Sequence, residues 1–159
     1  MVGVVVARRA LSSPWQTHQW TPVSILPAVP DAAPWTALAK SATEETFYAG
    51  ASEISLHSGE TAHYRDNLQS DRPALWVSIR QGSEDRLEIV RVTADPYEGE
   101  ALGATIEDIV EAVPMPAEVQ EWLAAFFHAH HVEREFFKRS RERFDPERAS
   151  RRRVTETDK

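Results

Sequence analysis

Ala74–Tyr97 reads ALWVSIRQGSEDRLEIVRVTADPY, two apolar-rich runs joined by a polar loop that contains Gly82. In the first run Leu75, Val77 and Ile79 alternate with Trp76, Ser78 and Arg80, the period-2 pattern of a strand with one buried face. In the second, Leu87 and Ile89 fall on one parity while Val90 and Val92 fall on the other. Apolar groups of both parities suit a strand covered on both sides. The stretch predicts a β-hairpin in the middle of a sheet.

Upstream, Val2–Arg8 is rich in β-branched residues and reads as a first strand. Pro14–Trp35 holds five of the ten prolines and three of the five tryptophans, so no long helix fits there. Thr21–Leu26 predicts a strand at a sheet edge, because prolines flank it. Trp15, Trp20 and Trp35 admit two readings. They cover the sheet where no helix can, which the usual burial of aromatics favours, or they present an aromatic surface to a partner. Glu45–His57 predicts a second hairpin turning near Gly50, and Thr61–Gln69 a short helix that Ser58 could cap.

Downstream, Asp95-Pro96-Tyr97-Glu98 is a helix start: a capping aspartate, a proline at the first helical position and a capping-box acid. Thr105–Val113 is ambiguous, with a strand over Asp108–Val113 preferred because Pro114 follows. Pro116–His131 predicts the main helix, on which Val119, Trp122, Leu123 and Phe126 form one apolar stripe. The expected fold is α+β: an antiparallel, twisted or partly closed sheet of about six strands with this C-terminal helix packed on it. Trp122 and Phe126 are expected beneath the sheet.

One domain over residues 1–137 is expected, with 138–159 a basic extension. Net charge is −7, yet Lys138–Arg153 alone carries eight basic against three acidic residues, or +5, leaving −12 on the remainder. The chain has no cysteine, which excludes disulfides, thiolate metal sites and cysteine nucleophiles, and fits a reducing compartment. The N-terminal order, apolar residues before arginines, is the reverse of a secretory signal. No stretch approaches the ~20 apolar residues of a membrane span. A cytoplasmic protein without membrane contact is expected.

Four groupings could carry chemistry. His128 and His131, three apart on a helix, are candidate zinc ligands with Glu133 as a third, and His130 points elsewhere. The preference of a helix C-terminus for cations explains the same histidines without metal. Ser58, His63 and a carboxylate resemble a nucleophilic set, with His57 close by, but no glycine elbow surrounds the serine. The pairs Glu44–Glu45 and Glu107–Asp108 read as solvated, and no phosphate-binding loop occurs. The basic segment could bind nucleic acid or steer the acidic body onto a protein; the protein reading is preferred. Partner-binding candidates are Trp15, Trp20, Trp35, Lys138, Arg139, Arg141 and Arg143. No catalytic residue and no cofactor are expected.

Several pieces together carry a resemblance. They are Pro14-Trp15, Trp20-x-Pro22, Pro34-Trp35, the segment Glu60-Thr61-Ala62-x-Tyr64-Arg65-x-Asn67-Leu68, Asp95-Pro96-Tyr97-Glu98, Val113-Pro114-Met115-Pro116, and His130-His131-Val132-Glu133 through Phe137-Lys138-Arg139. With these the chain resembles the bacterial domain-of-unknown-function family numbered 3305, from residue 2 to about residue 143. That family has no defined catalytic motif, so no site residue is carried over. The resemblance implies genes lying beside those of molybdenum-dependent formate dehydrogenases and their maturation proteins. It thus implies an accessory role, binding a molybdoenzyme subunit or maturation factor. Handling of the pterin cofactor by a small enzyme or carrier, and nucleic-acid regulation through the basic segment, stand as alternatives.

Overall fold

Val2–Ala10 forms β1, whose first six residues are all buried. A valine-rich run with apolar groups of both parities belongs inside a sheet, and β1 lies there. It pairs antiparallel with β2 (His18–Leu26) on one side and β4 (Glu44–Ser52) on the other, and β3 (Thr36–Lys40) completes the order β2-β1-β4-β3. The structure, a computed structural model, describes residues 1–82 and 87–133. A second sheet holds β5 (Ala74–Gln81), β6 (Leu87–Thr93) and β7 (Asp108–Pro114) in the order β6-β5-β7. The expected single sheet of about six strands is therefore two antiparallel sheets, of four and three strands. They meet where β2 packs against β7 and β4 against β6. No ladder joins them among the described residues, so no barrel closes.

Two local departures from the sequence reading, in β6 and in β4, coincide with β-bulges, and a further bulge falls in β2. In the β5–β6 ladder Ser78 faces Arg91 but Ile79 faces Ile89, leaving Val90 as an extra residue. An extra residue flips parity, so Leu87, Ile89 and Val92 stand opposite Gln81, Ile79 and Val77. The two-parity pattern of β6 thus marks a bulged edge strand; only β5 is central. In β4, Val4 faces Gly50 and Val5 faces Tyr48. Gly50 adopts φ 141°, which glycine takes without strain, and the strand runs on instead of turning into the expected hairpin. In β2, Pro22 stands opposite Val6 beside the shift that leaves Val23 unpaired, a place where its missing N–H does least harm. The edge position expected for β2 is observed.

The hairpin that does form joins β3 to β4. Its Thr-Ala-Leu-Ala-Lys strand, exposed throughout, is made of helix formers more than strand formers. It is held by pairing with β4 and by Ser41, whose N–H donates to the Glu44 carbonyl (2.8 Å).

Three α-helices complete the described residues: α1 (Thr61–Leu68), α2 (Pro96–Gly103) and α3 (Ala117–His130). A 3-10 turn, Ser58–Glu60, leads into α1, and no side chain caps it, so Ser58 does not act as expected. Asp95 does cap α2, accepting from the Tyr97 and Glu98 amides. Glu98 closes the box indirectly: the Asp95 N–H donates to the Thr93 hydroxyl, which donates to Glu98. Asp108–Pro114 is the expected strand, paired with β5.

On α3, Val119 and Leu123 are buried and Phe126 packs at the core margin, its ring edge-on to Tyr64 at 6.1 Å. Trp122, expected under the sheet, is 46% exposed. The helix lies against α1, and residues at i, i+4 and i+7 fill that narrow face while i+3 falls beyond its edge. One core cluster joins Val4 and Val6 of β1, Leu75, Val77 and Ile79 of β5, Tyr64 of α1 and Leu123 of α3. No described helix is long and apolar enough to cross a membrane.

Candidate functional site

The register of β1 places Arg8 opposite Trp20 on one side and Glu45 on the other. Trp20 meets Trp35 edge-on at 5.8 Å, and Phe47 lies 5.9 Å from Trp20 and 6.4 Å from Trp35. The Arg8 guanidinium sits 5.7 Å from the Trp20 ring centre and 5.4 Å from that of Phe47, within cation–π range. Arg8 also pairs with Glu45, which takes a second cation, Lys40, at 2.7 Å. Hydrogen bonds from Lys40 and then Arg8 hold the Glu45 carboxyl below its usual range.

Trp35 enters this corner with φ 71°, a left-handed conformation that a bulky side chain rarely adopts. Its amide donates to the Tyr48 carbonyl, and its ring packs against both Trp20 and Phe47. Such strain persists only where the surroundings over-determine it.

Trp15 stands apart. It rides a loop closed by the Leu11 N–H to the Thr17 carbonyl (2.9 Å) and is 94% exposed. With Pro14, His18, Trp20 and Arg8 it borders a groove of about 580 Å³. Trp20 and Trp35 thus join the sheet's aromatic corner, while Trp15 is left projecting. Lys138, Arg139, Arg141 and Arg143 lie outside the described residues.

The histidines part by the grooves they line. His131 is the C-cap of α3, and its amide still donates to the Phe127 carbonyl at 2.8 Å. His128 borders a groove with Leu68 and Phe127, whereas His130 and His131 both line a separate cleft between the start of α1 and the end of α3. No group of three or more histidine or acidic side chains is placed to hold a metal among the described residues. His63 turns to Asp95, its Nδ1 2.8 Å from Oδ2, and packs on the Tyr97 ring at 4.5 Å. Ser58 lines the α1–α3 cleft, and no hydrogen bond joins it to His63 among the described residues. Only the His–Asp half of the nucleophilic set is assembled.

The carboxylate pairs are split by cations. Glu44 pairs with Arg9 at 3.0 Å, and Asp108 pairs with Arg80 while accepting from the Ser78 hydroxyl at 3.1 Å. The Arg80 hydrogen bond holds the Asp108 carboxyl low, and Asp108 in turn raises Arg80. Tyr64 moves oppositely. Burial pushes its hydroxyl up to about 12, and it accepts from the His57 amide (3.0 Å) and donates to Glu60 (3.1 Å).

These shifts give each end of the stability–pH curve a direction. Lowered carboxyls contribute stability that is present above their ordinary values, 4.5 for Glu45 and 3.8 for Asp108, and lost as pH falls. A raised tyrosine contributes stability that is full below its ordinary 10 and lost as pH rises through about 12. The melting temperature should therefore fall at both ends. Tyr64→Phe should flatten the alkaline limb and leave the acid limb in place; an unchanged alkaline limb would remove Tyr64 from the account.

The structure defines an α+β protein of two antiparallel sheets, with an aromatic corner on the larger sheet and a cleft between two helices. The chain belongs to the family of proteins of unknown function DUF3305, whose sequence model matches residues 1–141. No curated protein and no solved structure matches it.

Proposed function

We propose that the protein is a non-catalytic accessory factor. It acts in maturation or assembly of a molybdenum-dependent formate dehydrogenase by binding one of its subunits or maturation proteins. The observation that carries the binding role is Trp15, nearly fully exposed above a groove whose wall is Trp20 and Arg8. A tryptophan beside an aromatic, cationic groove is the residue type that dominates interface energies when a partner buries it. The link to formate metabolism rests on the gene neighbourhood that membership of this family implies.

The test is purification of the full chain, as bait, from cells grown on formate. A molybdoenzyme subunit or maturation protein should co-purify. With the partner in hand, Trp15→Ala should weaken binding about thirtyfold or more, the effect of a ~2 kcal/mol hot spot, and leave the melting temperature unchanged. Equal binding by the variant, or capture of no molybdoenzyme component, would overturn the proposal.

A further inference from the structure

We infer that the cleft between the start of α1 and the end of α3 binds the phosphate of a small organic phosphomonoester. The inference is independent of the docking role of Trp15. It begins with spacing: Phe126 and Phe127 precede His130 and His131 by four residues each. The rings pair accordingly, Phe126 with His130 at 4.4 Å and Phe127 with His131 at 4.5 Å, the latter stacked at 26°. Thr61 Oγ1 lies 3.0 Å from His131 Nδ1. Both imidazoles are thus held from behind, and His131 Nε2 makes no hydrogen bond among the described residues.

Arg65 stands one turn after Thr61 on α1 and lines the same cleft, with its ion pair to Asp66 at 3.2 Å. Of the described lining residues Glu133 alone is acidic. Three nitrogen-bearing side chains therefore converge on a chain whose charge outside Lys138–Arg153 is −12. The C-terminus of α3 favours cations at both histidines; Arg65 comes from the other helix and owes nothing to that terminus.

The remaining wall is small and polar: Ser58 offers a hydroxyl, and a side chain added at Gly59 would meet nothing within 4 Å. Guanidinium recognises phosphate oxygens through paired N–H donors, and imidazole and hydroxyl donors complete the shell. The volume, about 620 Å³, exceeds what inorganic phosphate needs and falls in the range of sites for organic ligands.

The test follows the His130 and His131 ring resonances of the full chain by NMR. Phenyl phosphate is the probe, with benzoate and benzamide as carboxylate and neutral controls. Phenyl phosphate should give saturable shifts below about 10 mM, weakened about tenfold or more in Arg65→Ala. Ser58→Glu, which puts a second carboxylate in the cleft, should abolish them, and Trp15→Ala should leave them intact. Failure to saturate, equal affinity for benzoate or benzamide, or indifference to both cleft variants would overturn the assignment.

Discussion

Replacing Asn67 with aspartate is expected to destabilise the fold by at least about 3 kcal/mol at neutral pH. Asn67 is 3% exposed, and its Nδ2 donates to the Ala74 carbonyl (2.8 Å) and the Ala94 carbonyl (2.7 Å). Its Oδ1 accepts from the Ala74 amide at 3.0 Å. One side chain therefore stitches the end of α1 to the start of β5 and to the residue just past β6, the open end of the central hairpin. Aspartate has nearly the same shape, so no cavity arises and the Ala74 amide keeps its acceptor. The second oxygen, however, faces the part-buried Ala74 and the buried Ala94 carbonyl oxygens with no proton to share. Each carbonyl left unpaired costs roughly 1–3 kcal/mol, and burying the charge adds to that. Protonation restores one donor, so the deficit should shrink as pH falls. Urea denaturation of both proteins at neutral and acid pH checks this; a neutral-pH loss below about 1 kcal/mol would mean the amide does not bridge these strands.

The central strand β5, the strand before Pro114 and the Asp95 cap were legible because their signals are local: strict alternation, proline and a capping aspartate. The bulges at Val90, Ala49 and Val23 were not, since one unpaired residue changes parity without changing composition. The β6 reading failed on that alone. Trp122 was misplaced because an apolar stripe gives a direction, while the width of the buried face depends on what packs there. The histidine site turned on what packs beside α3. Helical spacing joins His128 to His131, but His128 opens onto one groove while His130 and His131 open together onto another. The corner of Arg8, Trp20, Trp35 and Phe47 needed cross-strand register, which is long-range information. Asn67 carried no local mark beyond sharing a helix face with Tyr64, three residues earlier.

Gly99→Ala should reverse the usual sign of a glycine-to-alanine change in a helix. Within α2 the substitution would ordinarily gain about 1 kcal/mol from helix propensity. At Gly99 an added Cβ would lie 2.2 Å from Trp76 Cγ and 2.5 Å from Cδ1 and Cδ2. Cγ is at the root of the indole, so turning the ring about its own bond does not clear the overlap. Trp76 is fixed on β5, the central strand of its sheet. The helix resists lifting too, because Asp95 caps it and Glu98 binds Thr93 and Arg91. Overpacking of this kind costs roughly 1–3 kcal/mol, enough to outweigh the propensity gain. Gly103, at the end of the same helix, supplies the internal control, since an added Cβ there meets nothing within 4 Å. Gly103→Ala should be neutral or mildly stabilising. A double-mutant cycle with Trp76→Ala should return a coupling of about 1–3 kcal/mol between Trp76 and Gly99, because removing the indole removes the clash. A Gly99→Ala protein that melts at or above the parent's temperature would show that α2 does not press its backbone onto Trp76.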